Sequence, residues 1–115
     1  MSRILVVDDD SGMLASLRGL FRSRGQEALV ARSGQEALDQ LAGVDAVVTD
    51  FAMPGMDGVQ LVQAIHDRDE SLPVILLTAH GSERVAVQAM KSGAYDYLTK
   101  PFDAEEFSVV VDRAL

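Results

Sequence analysis

The sequence predicts a doubly wound α/β fold, in which helices cover both faces of a parallel β-sheet, and two observations indicate it. Short apolar segments alternate along the 115 residues with stretches in which apolar residues recur at helical spacing. Several short segments, such as residues 44–49, are largely apolar and rich in β-branched residues. Strands of that composition are buried on both faces, which is typical of parallel strands connected by helices. The pattern leaves the order of the strands open.

Five strands and five helices are predicted, and several helices carry start signals. Ser33 and Glu36 have the spacing of a capping box, and Ser82 is a candidate N-cap. Asp103 with Glu106 is expected to begin the last helix. The predicted strands span residues 4–7, 28–31, 44–49, 74–77 and 95–98. The apolar helix faces carry Leu14, Leu17, Leu20 and Phe21; Leu38 and Leu41; Leu61, Val62 and Ile65; Val85, Ala86, Ala89 and Met90; and Phe107, Val110, Val111 and Ala114.

The last helix lacks the stop signal that other helices have. Gly25 and Gly93 are expected to end the first and fourth helices, because glycine adopts the left-handed backbone at low cost. The last helix reaches Leu115 without a Gly, Asn or Pro. Either its final turn frays, or residues 1–115 are one domain of a longer protein. We favour the second explanation.

The composition restricts the class of protein. With 48% apolar residues, 24% charged residues and no cysteine, the chain resembles one soluble globular domain without disulfides. No apolar run approaches the ~20 residues of a membrane span, and no signal peptide precedes Ile4. These features favour a cytoplasmic protein that does not enter a membrane.

The charge balance argues against direct contact with nucleic acid. The chain has 18 acidic residues against 10 Lys and Arg, a formal net charge of −8. Proteins that bind a phosphate backbone do so with clustered Lys and Arg. If the protein controls DNA, another domain must hold it.

Polar side chains follow four of the five predicted strands. Because the carboxyl ends of parallel strands meet at one edge of a sheet, we expect these side chains to converge there. A further acid, Asp10, should turn outward toward the start of the first helix, because side-chain direction alternates along an extended chain. The converging residues, in strand order, are Asp8 and Asp9, Asp50, Thr78 and Lys100.

This set of side chains suits phosphoryl transfer. Carboxylates held close together repel one another unless a cation intervenes, and hard oxygen ligands of this kind suit Mg²⁺. Asp50 could serve both as a metal ligand and as a nucleophile, because a carboxylate that attacks phosphorus forms an acyl phosphate. Lys100 and Thr78 would supply positive charge and a hydroxyl to the phosphoryl oxygens.

Each of these residues taken alone has an ordinary structural explanation. Asp50 could end its strand and cap the turn, Lys100 could be a surface lysine, and Thr78 could be a β-former at a strand end. Asp8 and Asp9 could cap the first helix, where the helix dipole favours anions. Their joint occurrence on one sheet edge favours the functional interpretation.

Four motifs resemble the receiver domain of bacterial two-component response regulators, and together they cover the chain in order. They are LVVDDD after the first strand, DFAMPGMDG at Asp50, LLTA at Thr78 and YLTKPF at Lys100. The segment TAHGS…AVQAMKSGAYDYLTKPF is similar to receivers of the nitrogen-regulatory class, which drive activators of sigma-54 transcription. The resemblance implies a flavodoxin-like sheet in the order 2-1-3-4-5 and a cis bond between Lys100 and Pro101.

The resemblance also implies the chemistry and the partner. Asp50 would accept a phosphoryl group from a phosphohistidine on a sensor histidine kinase or a phosphotransfer protein. Mg²⁺ would be bound by the side chains of Asp9 and Asp50 and by the backbone carbonyl of Ala52, with Asp8 contributing through water.

A conformational switch is implied as well. Lys100 and Thr78 would contact the phosphoryl oxygens, and the movement of Thr78 would leave space into which Tyr97 rotates. This would remodel the face formed by residues 82–92, 95–98 and 103–115, the expected surface for an output domain or a second copy of the chain. Tyr97 could instead be a half-buried strand tyrosine.

Two positions depart from the common pattern of the family. Ala52, two residues after the nucleophile, stands where many relatives carry a polar or basic side chain, and His80 flanks the same opening. These positions tune how water reaches the acyl phosphate, so the resemblance does not predict the lifetime of that group. We interpret His80 as a solvent-exposed loop residue.

Three other functions fit parts of the pattern. A dehalogenase-like phosphatase also uses a nucleophilic Asp after a strand, but it needs a second acid two residues on, where this chain has Ala52. A cofactor binder of the flavodoxin type would need a Gly/Thr-rich phosphate loop after the first strand. A receiver-like interaction module that takes no phosphate would be favoured if a member of the set were missing. We therefore expect a phosphorylation-activated signalling switch rather than an enzyme with a separate substrate.

Overall fold

The computed structural model describes residues 2–79 and 82–115, which form a parallel sheet covered by helices. The strands are β1 (Arg3–Val7), β2 (Glu27–Ala31), β3 (Ala46–Asp50), β4 (Val74–Ala79) and β5 (Asp96–Lys100). The helices are α1 (Ser11–Ser23), α2 (Gly34–Leu38), α3 (Gly58–Arg68), α4 (Glu83–Lys91) and α5 (Ala104–Ala114). The strand order β2-β1-β3-β4-β5 confirms the predicted fold class and the flavodoxin-like arrangement.

The two faces of the sheet carry separate apolar cores. Ile4 of β1 packs with Phe21 of α1 and Phe107 of α5, whose rings lie 5.4 Å apart between centroids. The next residue, Leu5, points to the opposite face and belongs to the core that includes Leu61 of α3. Successive side chains of a strand point to opposite faces, so a strand buried on both sides must be apolar throughout. The continuous apolar runs in the sequence follow from this arrangement.

Side chains of Asp and Ser cap four of the helices. Asp10 accepts a hydrogen bond from the amide of Gly12 at 2.9 Å, so it turns toward α1 as predicted. Ser33 accepts from the amide of Glu36, but the carboxylate of Glu36 accepts from the amide of Arg32, one residue before the cap. The capping box at Ser33 is therefore only half formed.

Two further caps complete the set. Asp103 caps α5 by accepting from the amide of Glu106, as predicted. The sequence analysis missed Asp57, which forms a complete capping box with Gln60 at the start of α3.

Ser82 is the N-cap residue of α4, as predicted, but its side chain forms no capping hydrogen bond. Its backbone angles, φ −96° and ψ 48°, differ from the extended conformation in which a cap side chain reaches the amides of the first turn. Glu83 places a negative charge in that turn instead, which the helix dipole favours.

Several predicted boundaries move because strand pairing extends beyond the apolar run. β5 continues to Lys100 because its ladder with β4 pairs Ala79 with Lys100. β3 likewise includes Asp50, which pairs with Leu77. The predicted extension of α2 to Leu41 is wrong: bonds between residues three apart close its last turn, and Gly43 turns the chain with φ +75°.

The remaining helix ends agree with the sequence signals. Gly25 and Gly93 follow α1 and α4 with φ of +73° and +108°. No helix in the described ranges is long and apolar enough to cross a bilayer.

Two glycines allow a test of the packing that supports the β3–α3 connection. A Cβ on Gly58 would lie 2.5 Å from the backbone oxygen of Asp50 and 2.5 Å from Cδ1 of Leu76, whereas a Cβ on Gly19 would meet nothing within 4 Å. We expect Gly58→Ala to lower the free energy of unfolding by about 1–3 kcal/mol through overpacking. Gly19→Ala should raise it by about 0.5–1 kcal/mol, because alanine favours a helix interior.

Urea unfolding followed by circular dichroism measures both changes. Equal effects of the two substitutions would contradict the close approach of α3 to the end of β3.

Candidate functional site

Three carboxylates meet at the carboxyl ends of two neighbouring strands. β1 and β3 pair so that Val7 lies opposite Thr49, which places Asp8 beside Asp50 at the end of β3. One carboxylate oxygen from each of Asp8, Asp9 and Asp50 lies within 4.8 Å of the others. The structure therefore brings together the three acids that the sequence placed at this edge.

The environments of the three acids differ. Asp8 and Asp50 are only 2% and 7% exposed, whereas Asp9 is exposed. One oxygen of Asp8 accepts a hydrogen bond from the amide of Asp10 at 3.0 Å. Its other oxygen, Oδ2, is buried and finds no hydrogen-bond partner in the part of the chain that the structure describes. Burial raises the pKa of Asp8 above its ordinary value, and the negative charge of Asp50 raises it further.

This arrangement fits a divalent cation. An ionised carboxylate oxygen buried without a donor is costly, and a bound cation would remove that cost. The three side chains offer hard oxygen ligands, which is the donor chemistry that Mg²⁺ prefers. The acidic cluster of Asp8, Asp9 and Asp50 is therefore a candidate metal centre.

A cation of the protein itself contacts the same cluster from the other side. Nζ of Lys100, the last residue of β5, lies 2.6 Å from Oδ1 of Asp50. The Lys100 side chain is 31% exposed, so its ammonium reaches the cluster from the rim. The peptide bond that follows, to Pro101, is cis, as the resemblance implied. A charge-assisted hydrogen bond of this length orients the carboxylate of Asp50.

Within the described residues, neither Thr78 nor Tyr97 forms a side-chain hydrogen bond with Asp50. Thr78 is 2% exposed, and its hydroxyl donates a long hydrogen bond, 3.5 Å, to the backbone oxygen of Leu98. Tyr97 is 41% exposed and so lies on the outer surface of β5. The two residues are neighbours through β4 and β5, whose register pairs Leu76 with Tyr97 and Thr78 with Thr99.

The remaining predicted positions lie in loops. The side chain of Ala52 is exposed in the connection between β3 and α3. That connection is fixed at both ends: the amide of Phe51 donates to Leu77, and the amide of Gly58 donates to the backbone oxygen of Phe51 at 2.8 Å. His80 lies outside the described residues.

One residue at this edge was missed by the sequence analysis. Arg32 directly follows β2, and its Nη2 donates to the backbone oxygen of Asp9 at 3.4 Å. The signal was available, since β2 is the fifth strand to end at this edge. The contact itself depends on the conformation of the Arg32 side chain, which the residue pattern does not give.

Comparison with known proteins decides the family. The family model described as the response regulator receiver domain matches residues 4–112. The chain belongs to this family. Its fold is that of the receiver domain of two-component response regulators.

Two curated relatives, both regulatory proteins, are about four times as long as this chain. It is 43% identical over 112 residues to the DNA-binding transcriptional regulator NtrC of Klebsiella pneumoniae, covering 96% of this chain and 24% of that protein. It is 38% identical over 117 residues to the regulatory protein AtoC of Escherichia coli K12, covering 100% of this chain and 25% of that protein. The likeness to NtrC confirms the resemblance to the nitrogen-regulatory class. The receiver domain spans about a quarter of the length of these relatives.

Solved structures agree with the observed topology. A response regulator receiver domain protein from Clostridium thermocellum superposes with a TM-score of 0.93 at 36% identity, covering 99% of this chain and 94% of that one. NtrX from Brucella abortus superposes with a TM-score of 0.94 at 33% identity, covering 100% of this chain and 27% of that one.

The electrostatics of the cluster lead to a stability prediction. The pKa of Asp8 is raised in the folded state. The contribution of Asp8 to the free energy of unfolding is therefore most favourable below pH 3.8, and it is lost as the pH rises through the folded-state pKa. We expect Asp8→Asn to raise the unfolding temperature at pH 7 in the presence of a chelator, and this gain should shrink as the solution is acidified.

Asp69 offers a control of opposite sign. Hydrogen bonds from Ser71 lower the pKa of Asp69. Asp69 therefore stabilises the folded state at neutral pH, and this stabilisation is lost on acidification. Asp69→Asn should therefore lower the unfolding temperature at pH 7. A drop for Asp8→Asn in chelator would show that the three carboxylates do not repel one another as the geometry implies.

Proposed function

We propose that this receiver domain is a phosphorylation-activated switch in which Asp50 accepts a phosphoryl group. The donor would be a phosphohistidine on a sensor histidine kinase or a phosphotransfer protein. The observation that carries the proposal is the 2.6 Å contact between Lys100 and Asp50, beside two further carboxylates at the same sheet edge. A buried carboxylate held between a cation and a metal site is suited to receive a phosphoryl group.

In the proposed reaction an oxygen of Asp50 forms the bond to phosphorus while the bond from phosphorus to the imidazole nitrogen breaks. The imidazole leaves as neutral histidine once its other ring nitrogen carries a proton. The ammonium of Lys100 orients the carboxylate before transfer and neutralises charge on the phosphoryl oxygens during it. The chain assists this reaction on its own side chain and does not turn over a separate substrate.

The oxygen ligands of the acidic cluster support Mg²⁺ as the cofactor. Asp9 and Asp50 would bind it through their side chains and Ala52 through its backbone carbonyl, with Asp8 acting through water. When bound, the ion supplies positive charge to the phosphoryl oxygens. The buried oxygen of Asp8 without a donor supports this assignment.

The switch would act through Thr78 and Tyr97. In the structure the Thr78 hydroxyl contacts the backbone of Leu98, on the side away from Asp50, and Tyr97 lies at the surface. A phosphoryl group adds about two negative charges and three acceptor oxygens, which would attract the hydroxyl of Thr78. The space it leaves would then admit the ring of Tyr97.

The surface that responds would be the α4–β5–α5 face, defined as residues 82–92, 95–98 and 103–115. In the described part of the chain, all the large apolar side chains that are markedly exposed belong to this face: Val87, Met90, Tyr95, Tyr97, Val109 and Leu115. Several exposed apolar side chains on one face indicate a binding surface. We assign it to an output domain or to a second copy of the chain.

A second surface supports the approach of the phosphodonor protein. A groove of about 690 Å³ opens between α1 and the segment after β5. The residues that line it include Met13, Leu17, Phe102 and Lys100. A partner seated in this groove would be held next to Asp50.

The domain would be part of a longer transcriptional regulator. Relatives such as NtrC and AtoC are about four times as long, which supports residues 1–115 as the receiver domain and an output domain after α5. With a net charge of −8, the receiver domain itself would not contact nucleic acid. Such a regulator would act in the cytoplasm.

The first test is the mass of the intact chain after incubation with acetyl phosphate and Mg²⁺. We expect one phosphoryl adduct on the unmodified chain, none on Asp50→Asn, and none when the metal is chelated. Asp67→Asn, an exposed acid on α3, is the matched control and should be labelled normally. Absence of the adduct with Mg²⁺ binding intact would favour an interaction module that takes no phosphate.

The role of Lys100 is tested by Lys100→Arg. The planar guanidinium cannot replace the compact ammonium at 2.6 Å, so we expect phosphorylation to continue while its effect on the α4–β5–α5 face is lost. Hydrogen exchange, compared before and after phosphorylation, measures that effect. If phosphorylation changes hydrogen exchange in Lys100→Arg as much as in the unmodified chain, Lys100 has no role in the switch.

A further inference from the structure

Arg32 brings a positive charge to the edge of the acidic cluster. The amide of Asp8 donates to the backbone oxygen of Ala31 at 3.1 Å, so the end of β2 lies directly beside the start of the cluster. Arg32 is the next residue, and its Nη2 lies 3.4 Å from the backbone oxygen of Asp9. The guanidinium therefore lies at the rim, on the side opposite Lys100, which approaches from β5.

The guanidinium of Arg32 is available to a ligand. Within residues 2–79 and 82–115, no carboxylate lies within 4.0 Å of it, whereas Arg3 and Arg24 are paired with Glu27 and Asp112. The side chain of Arg32 is exposed, and within the described residues its one hydrogen bond is the long contact with the backbone oxygen of Asp9. A guanidinium presents five donors and binds phosphate oxygens in bidentate fashion.

An anionic phosphodonor would be repelled by the negative charge around this site. The chain carries a net charge of −8, and three carboxylates lie at the point where the phosphoryl group must arrive. The ammonium of Lys100 is already in contact with Asp50. A second cation at the rim would offset this repulsion during the approach, because charges at a cleft mouth raise the rate at which oppositely charged ligands enter it.

We propose that Arg32 recruits the phosphodonor, binding its anionic phosphoryl group at the rim and directing it toward Asp50. This inference rests on the proposed role of Asp50 as phosphoacceptor. Arg32 is a positioning residue here: it acts on the incoming donor and is not displaced or modified in the transfer.

The test uses the rate of phosphorylation by acetyl phosphate with saturating Mg²⁺. The variants are Arg32→Gln, Arg32→Lys and, as a control with the same change in net charge, Arg22→Gln in the last turn of α1. We expect Arg32→Gln to lower the second-order rate constant about fivefold at about 0.01 M ionic strength and less than about twofold at about 0.3 M. Arg32→Lys should retain most of the rate, and Arg22→Gln should leave it nearly unchanged.

The outcomes separate three cases. Equal rates for Arg32→Gln and Arg22→Gln would overturn the recruiting role. A loss that is independent of ionic strength, is not rescued by Lys and accompanies weaker Mg²⁺ binding by calorimetry would also overturn it, since Arg32 would then act by holding the Asp9 backbone. If the unmodified chain forms no adduct at any donor concentration, the proposed function itself fails, and the recruiting role fails with it.

Discussion

The ammonium of Lys100 lies 2.6 Å from a carboxylate oxygen of Asp50, and the two residues are fifty positions apart in the sequence. Their contact depends on the parallel sheet, because only parallel strands bring the ends of β3 and β5 to the same edge. β4 lies between them and ends in Thr78 and Ala79, a small side chain. The site therefore depends on strand register, and strand register depends on the two apolar cores that hold the helices against the sheet.

The acidic cluster costs the fold stability in the absence of a bound cation. Asp8 is almost completely buried, one of its oxygens lacks a donor in the described structure, and its raised pKa expresses the cost of keeping the group charged. The proposed function gives a reason for such a group at this position. A site that is destabilised by its own negative charge responds strongly to added positive charge and to the rearrangement that a phosphoryl group would cause.

Features that depend on neighbouring residues were predicted more accurately than features that depend on contacts between distant parts of the chain. The apolar runs, the helix faces and the caps at Asp10 and Asp103 were predictable, because each depends on neighbours within about one turn. Strand boundaries were less accurate: β5 was placed at 95–98, but pairing with β4 carries it to Lys100. The side chain of Ser82 forms no capping hydrogen bond, since its backbone is not in the extended conformation that such a bond needs.

The sequence by itself determined the fold class and the identity of the polar groups at the strand ends, because both follow from periodicity and from the rule that parallel strands end at one edge. Only the tertiary structure decided which oxygen of Asp8 lacks a donor, that the Thr78 hydroxyl contacts Leu98, and that Arg32 reaches the backbone of Asp9. These contacts join residues on different strands, and their geometry depends on strand order and side-chain rotamers. Neither quantity is encoded in the local pattern of residues.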